Sequence, residues 1–224
     1  MKEDGKIKWS TRFAYGCGDT ACNVVFGMIS TLLTLFYTDY VGINPATIGL
    51  IMLISRMFDG VSDAIMGLLV ERTKSKWGKS RPWILWMSLP FAVAAVLLFA
   101  VPHSTAMVQA VYIFVTYNLI NTVCYTAINL PYSSLSAMMT RISSERDMLS
   151  VVRMGLSPIG KIVAATFTLP IVKMFGDDQA AWVKTMSIWA VLALILLLIC
   201  FFNCKETVYI EAKEKAEKVP LGKS

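Results

Sequence analysis

"IGLIMLISRMFDGVSDAIMGLLV", residues 48–70, is long and apolar enough to cross a bilayer, yet it holds Arg56, Asp59 and Asp63 near its middle. A spanning helix needs roughly 20 mostly apolar residues. Charge at that depth costs at least ~2.5 kcal/mol per residue on insertion scales, so such side chains normally face a bundle interior or a water-filled cavity. On a helical projection Ser55, Arg56, Asp59, Ser62 and Asp63 share an arc of roughly 120°, while Leu50, Leu53, Met57, Val61, Ile65 and Leu68 form an apolar back. Asp59 and Asp63 stand one turn apart, with Cβ atoms about 5–6 Å from each other. Two explanations compete: a functional carboxylate pair, or an arginine that neutralises one aspartate and only holds the fold.

The remainder of the chain has the same character. Of 224 residues, 56% are hydrophobic and 16% charged, a balance that points to a polytopic membrane protein. Spans are expected near 13–38, 46–70, 83–101, 107–138, 154–175 and 183–204, leaving a tail at 1–12 and another at 205–224. The N-terminus is polar and shows no cleavable signal. Lys and Arg collect in the N-terminal tail, in the 71–81 segment, after span four and in the C-terminal tail, whereas "DYVGINPAT" and "PHSTAM" hold none. Both termini are therefore expected on the cytoplasmic side of the cell membrane, and the net charge of +6 is topological, with no nucleic-acid partner implied. Cys17, Cys22, Cys124, Cys200 and Cys204 show no metal-ligand spacing and are expected as small apolar side chains. A single His103 in an outer loop leaves no material for a histidine-based catalytic site, so no enzyme and no cofactor are expected.

Polar stripes recur on alternate helices. Span one carries Tyr15, Asp19, Asn23, Ser30, Thr34 and Tyr37, with Gly16, Gly18 and Gly27 permitting close helix approach. Span four carries Asn118, Asn121, Tyr125, Asn129, Tyr132 and Ser136, and Pro131 within it leaves the carbonyl of Ala127 without its usual donor. That carbonyl is either a cation ligand or part of a plain kink. Span five carries Arg153, Ser157 and Lys161. Spans three and six contain no ionisable residue and are expected as outer scaffold. A dry helix third in each group of three suggests a 3+3 repeat around a midplane cavity, a plan common to secondary transporters.

The motifs "YGCGDTACN" (15–23), "FYTDYVGI" (36–43), "RMFDGVSDAIMG" (56–67), "ERTKSKWGKSRPW" (71–83), "INLPYSSL" (128–135) and "KET" (205–207) occur in one order across nearly the whole chain. In these the sequence resembles the N-terminal half of the glycoside–pentoside–hexuronide:cation symporters, the melibiose permease family of the major facilitator superfamily. The resemblance implies an all-α membrane fold with six of twelve transmembrane helices. It implies a Na⁺ or H⁺ site at Asp59 and Asp63, helped by Asn129 and Thr126, with the two aspartates acting as metal ligands only if the ion is Na⁺. It places Asn23, Asn129 and Arg153 around a sugar, with Asp19 and Tyr125 on the same stripes. The "ERTKSKWGKSRPW" loop, with Glu71, Arg72, Lys79 and Arg81, reads better as a cytoplasmic gate in which Glu71 and Arg72 pair to hold one conformation than as a lipid-phosphate site, and a topogenic role for its positive charge can hold beside either. Melibiose permeases have aspartate where this chain has Asn23 and Asn129, a pattern shared instead with pentoside, xyloside and glucuronide members. The expected partners are a sugar or glycoside, the lipid bilayer, and a facing six-helix half or a second copy. The rival expectation is a truncated or partner-dependent six-helix protein without transport of its own.

Overall fold

A computed structural model of the chain describes residues 6–208; the expected C-terminal tail beyond residue 208 lies outside them. Six long helices appear among the described residues: α1 Trp9–Tyr40, α2 Pro45–Arg72, α3 Arg81–Leu97, α4 Ala106–Met139, α5 Ser143–Met174 and α6 Gln179–Asn203. Four of these, α1, α4, α5 and α6, are long and apolar enough to cross a membrane. The other two differ for visible reasons: α3 has 17 residues, and α2 has 28 but carries the three charged side chains.

Local chemistry sets the helix ends. Pro45 opens α2 with its φ pre-set for a helix, and the Asn44 side chain accepts the N–H of Ala46 at 2.9 Å. Asp178 caps α6 by accepting from Ala181 N–H at 2.6 Å. Span five begins at Ser143, well before the expected residue 154. The added turns, "SSERDMLSVV", are too polar to count as membrane-crossing but are held by Glu145, which accepts from Arg12 Nη2 at 2.7 Å and from Ile7 N–H at 3.1 Å. Two segments are π-helical among the described residues, Phe36–Tyr40 at the end of α1 and Leu119–Tyr125 inside α4. Pro131 leaves α4 helical through Met139.

α1 is the central post. It packs along most of its length on α5 and also on α6, while α3 packs on α6 and α4, and α4 joins α2. Glycines set the α1–α5 approach. A Cβ on Gly160 would lie 3.0 Å from the carbonyl oxygen of Thr20, and one on Gly27 would lie 3.2 Å from the backbone of Lys161. Gly16 meets Leu156 in the same seam, and Gly18 makes room for Tyr132 and Cys200. At one end of the bundle Phe36, Phe99 and Trp182 form a buried aromatic plug, with Phe99 and Trp182 parallel at 5.8 Å. Nearby, Tyr37 donates to Leu98 O at 3.0 Å and Tyr40 to Asp177 Oδ1 at 2.6 Å. All five cysteines are free thiols, and four of them are buried.

Candidate functional site

A cleft of about 510 Å³ opens between α1, α2 and α4. Both aspartates reach it, and so do Arg56, Thr126 and Asn129. None of its lining comes from α3, α5 or α6. The third and sixth helices therefore stand behind the cleft, α3 and α6 pressing Phe91, Trp182 and Trp189 into the core while exposing apolar stripes such as Leu89 and Ile195.

A polar ladder between α2 and α4 forms the floor. Asn118 Nδ2 donates to Ser55 Oγ at 2.8 Å, and Ser55 is fully buried. Thr122 Oγ1 donates to Asp59 Oδ1 at 2.7 Å, and Asn121 Nδ2 donates to Asp59 Oδ2 at 3.2 Å. Ser62 Oγ donates to the carbonyl oxygen of Thr122 at 2.5 Å. Consecutive residues 121 and 122 both reach one carboxylate because they lie in the π-helical segment, whose wider turn presents neighbours to the same side. Thr122 was not singled out by its sequence; the available signal was its position four residues after Asn118. Asp63 is exposed on the cleft with no hydrogen bond or ion pair to any described residue.

Arg56 does not neutralise either aspartate. It is exposed and forms no ion pair with Asp59 or Asp63. The work expected of it falls to Ser55, Asn118, Asn121 and Thr122, whose hydrogen bonds hold α2 to α4. Ala127, whose carbonyl Pro131 frees, is buried against Met66 and Val70 rather than on the cleft.

The residues expected around a sugar separate into two groups. Tyr125 and Asn129 line the cleft with the aspartates, and the Tyr125 ring stacks on Phe26 at 5.6 Å. Asp19, Asn23 and Arg153 lie outside that lining. Arg153 Nη2 pairs with Asp19 Oδ1 at 3.2 Å, and its guanidinium lies 5.1 Å from the centre of the Tyr132 ring. Tyr132 stacks on Tyr15 at 4.6 Å, and its hydroxyl donates to the Tyr15 carbonyl. Asn23 Nδ2 turns back to donate to its own helix at Asp19 O, 3.0 Å away. This second group bridges α1, α4 and α5 and carries one positive and one negative charge in contact.

The expected Glu71–Arg72 pair is absent. Both side chains are exposed, and adjacent residues on a helix point about 100° apart, which disfavours direct pairing. The closure at this end is built on Glu206 of the "KET" motif. Its carboxylate, fully buried, accepts three backbone N–H groups at the start of α3: Lys79 at 2.9 Å, Ser80 at 2.7 Å and Arg81 at 2.7 Å. Ser80 and Arg81 are orphan donors of the helix N-terminus, where negative charge is favoured, and Lys79 precedes the cap. Gly78 has φ +115°, and a Cβ there would overlap the Glu206 carboxyl group. Arg81, buried, donates from Nη2 to Phe201 O at 2.6 Å and so caps the end of α6.

Among the described residues no group of three or more His, Cys, Asp or Glu side chains could hold a metal ion.

Comparison with known proteins agrees with this architecture. The family model for MFS/sugar transport proteins matches residues 14–224. The isoprimeverose transporter of Lactiplantibacillus pentosus is 36% identical over 222 residues, 97% of this chain and 46% of that protein. The putative glycoside/cation symporter YagG of Escherichia coli (strain K12) is 36% identical over 98% of this chain and 49% of its own length. The glucuronide carrier protein homolog of the same organism is 31% identical over 91% of this chain and 45% of its own length. The chain thus spans about half the length of the curated relatives it matches. With its apolar helices, its cleft and these matches taken together, it is a multi-pass membrane protein that belongs to the MFS/sugar transport protein family, a family of transporters rather than enzymes.

Proposed function

We propose that this chain provides the cation-binding half of a cation-coupled sugar symporter, moving a glycoside, pentoside or hexuronide together with Na⁺ or H⁺. The observation that carries the proposal is the state of the two cleft aspartates: Asp59 is held in place by Asn121 and Thr122, while Asp63 faces the cleft without a partner. One oriented and one free carboxylate form a site that gains a cation by neutralising charge at low dielectric. Thr126 and Asn129 offer further oxygens on the same wall, and Tyr125 supplies a ring for a sugar face. Asp19, Asn23 and Arg153 are proposed as a second part of the sugar site. There a substrate hydroxyl or carboxylate competes with Asp19 for the Arg153 guanidinium.

The cleft is one-sided. The apolar flanks of α2 and α5, with Leu53, Met57 and Leu68 on one and Met154 and Ile162 on the other, are exposed among the described residues. A facing six-helix half, supplied by further sequence, another polypeptide or a second copy, would close the cavity, so that cation binding at one wall favours sugar binding between the two. The proposed setting is the cytoplasmic membrane with both ends of the described chain on the cytoplasmic side, where Arg72, Lys79 and Arg81 belong to the inner gate.

The test is uptake of labelled glycosides into proteoliposomes under an imposed Na⁺ or H⁺ gradient. The chain is measured alone and together with the part of the isoprimeverose transporter that it does not match. Gradient-driven uptake in either preparation supports the proposal. Absence from both, with normal membrane insertion, favours a six-helix protein without transport of its own.

A further inference from the structure

A second cavity, of about 230 Å³, lies at the end of the bundle where α1 begins and α4 and α6 end. Lys6, Lys8 and Lys205 line it, with Thr11, Asn203 and Thr207 as neutral polar groups, and among the described residues no carboxylate belongs to the lining. The three lysines form no ion pair with any described residue. Glu145 stands close by but is engaged by Arg12 and by the N–H of Ile7. The first turn of α1 adds to the positive field: it has no acidic residue, and its N-terminus has no side-chain cap.

The cavity walls are tied down. Glu206 is locked into the start of α3, and Thr207 Oγ1 donates to Met139 O at 2.6 Å, so Lys205 and Thr207 are carried to the cavity on a fixed backbone. On the opposite wall the Ile7 N–H is held by Glu145. Three like charges are thus assembled around one cavity by backbone ties, with the field of Glu145 reaching Lys6, and an anion seated among them would relieve their mutual repulsion. The surroundings identify which anion. Ile195, Ile199 and Phe202 form an exposed apolar stripe on α6, and Asn203, eight residues after Ile195, continues that stripe to the rim of the cavity.

From this arrangement we infer that the cavity binds the phosphate of an acidic phospholipid, with its acyl chains lying along the Ile195–Ile199–Phe202 stripe. Each lysine near an anionic headgroup contributes about 1 kcal/mol, roughly fivefold in affinity. The three together are worth about 100-fold.

The experiment is native mass spectrometry of the full 224-residue chain in detergent, titrated with phosphatidylglycerol or phosphatidylcholine. The expected result is one tightly retained phosphatidylglycerol, a dissociation constant about 100-fold weaker in the K6Q/K8Q/K205Q variant, and no change in phosphatidylcholine binding. K184Q, at the other end of α6, should match the unmodified chain. F202A should weaken phosphatidylglycerol several-fold. Equal phosphatidylglycerol binding by the unmodified chain and the triple variant overturns the site. Displacement of the lipid by inorganic phosphate at millimolar concentration, with F202A behaving as the unmodified chain, overturns the lipid assignment in favour of a soluble anion.

Discussion

Replacing Glu206 with alanine should be among the most destabilising single changes in the chain. The carboxylate accepts three backbone N–H groups at 2.7–2.9 Å and is completely buried, so truncation leaves three desolvated donors and an empty space behind Gly78. Hydrogen bonds to a charged acceptor are worth about 1.5–3 kcal/mol each. Two of the three share Oε1, and water entering the space would recover part of the loss, so the total should be about 3–5 kcal/mol rather than the additive sum. For a chain of this size that corresponds to a fall in Tm of roughly 10 °C or more. Glutamine separates the contributions. Its Oε1 can keep Ser80 and Arg81 N–H, but its amide group then faces the Lys79 N–H, donor to donor. The Gln variant should therefore melt between the unmodified chain and the Ala variant. The readout is tryptophan fluorescence during heating in detergent, because Trp77 lies edge-on to Phe201 at 5.8 Å beside the clasp. An Ala variant melting within about 2 °C of the unmodified chain, or a Gln variant falling as far as Ala, would refute this account.

Asp59→Asn and Asp63→Asn should each abolish ion-driven sugar accumulation while leaving exchange down a gradient measurable, in any assembly that transports. The Asn side chain can still accept from Thr122 at position 59, so folding should persist, and equal loss of exchange and accumulation would contradict a cation role. Gly160→Val should lower thermal stability by about 2 kcal/mol or more, because even its Cβ meets the Thr20 carbonyl oxygen at 3.0 Å. An unchanged Tm would mean that α1 and α5 separate easily. Cysteine placed at Glu71 should react with impermeant thiol reagents only from the cytoplasmic face, and cysteine at His103 only from outside; the opposite pattern would invert the proposed orientation.

The α2 stripe was legible because its spacing is local: residues 55, 59 and 62–63 share a face on any regular helix. The same local logic located six rods and the glycines of α1, among them Gly16 and Gly27 in the α1–α5 seam, but not Gly160 across it. Partners far apart in sequence were not legible. Glu206 meets residues about 125 positions away, and nothing in "KET" states that its carboxylate will enter the start of α3. Arg153 stood out through the family resemblance, but its pairing with Asp19 depends on how closely Gly160 and Gly27 bring α1 and α5 together. The Glu71–Arg72 pair failed for a simpler reason. Adjacency in sequence was allowed to stand for adjacency in space, and on a helix the two diverge. Glu145 extends α5 by about three turns beyond its apolar stretch, a gain that hydropathy alone does not register.

The π-helical segment Leu119–Tyr125 also bears on which changes in gene length this protein can accept. Such a segment holds one residue more than the α-helical turns it replaces. Loss of a single codon within it would let α4 relax into a regular α-helix. The lost residue is the one the wide turn absorbs, so Thr126–Met139 would keep its facing relative to Ala106–Asn118. Asn129 and Thr126 would stay on the wall shared with the aspartates, and Tyr132 would keep its stack on Tyr15. Winding the segment as α-helix without removing a residue is the damaging event, because it turns one end by about 100° relative to the other. Members of this family should therefore tolerate the loss of one residue inside the segment more readily than anywhere else along α4.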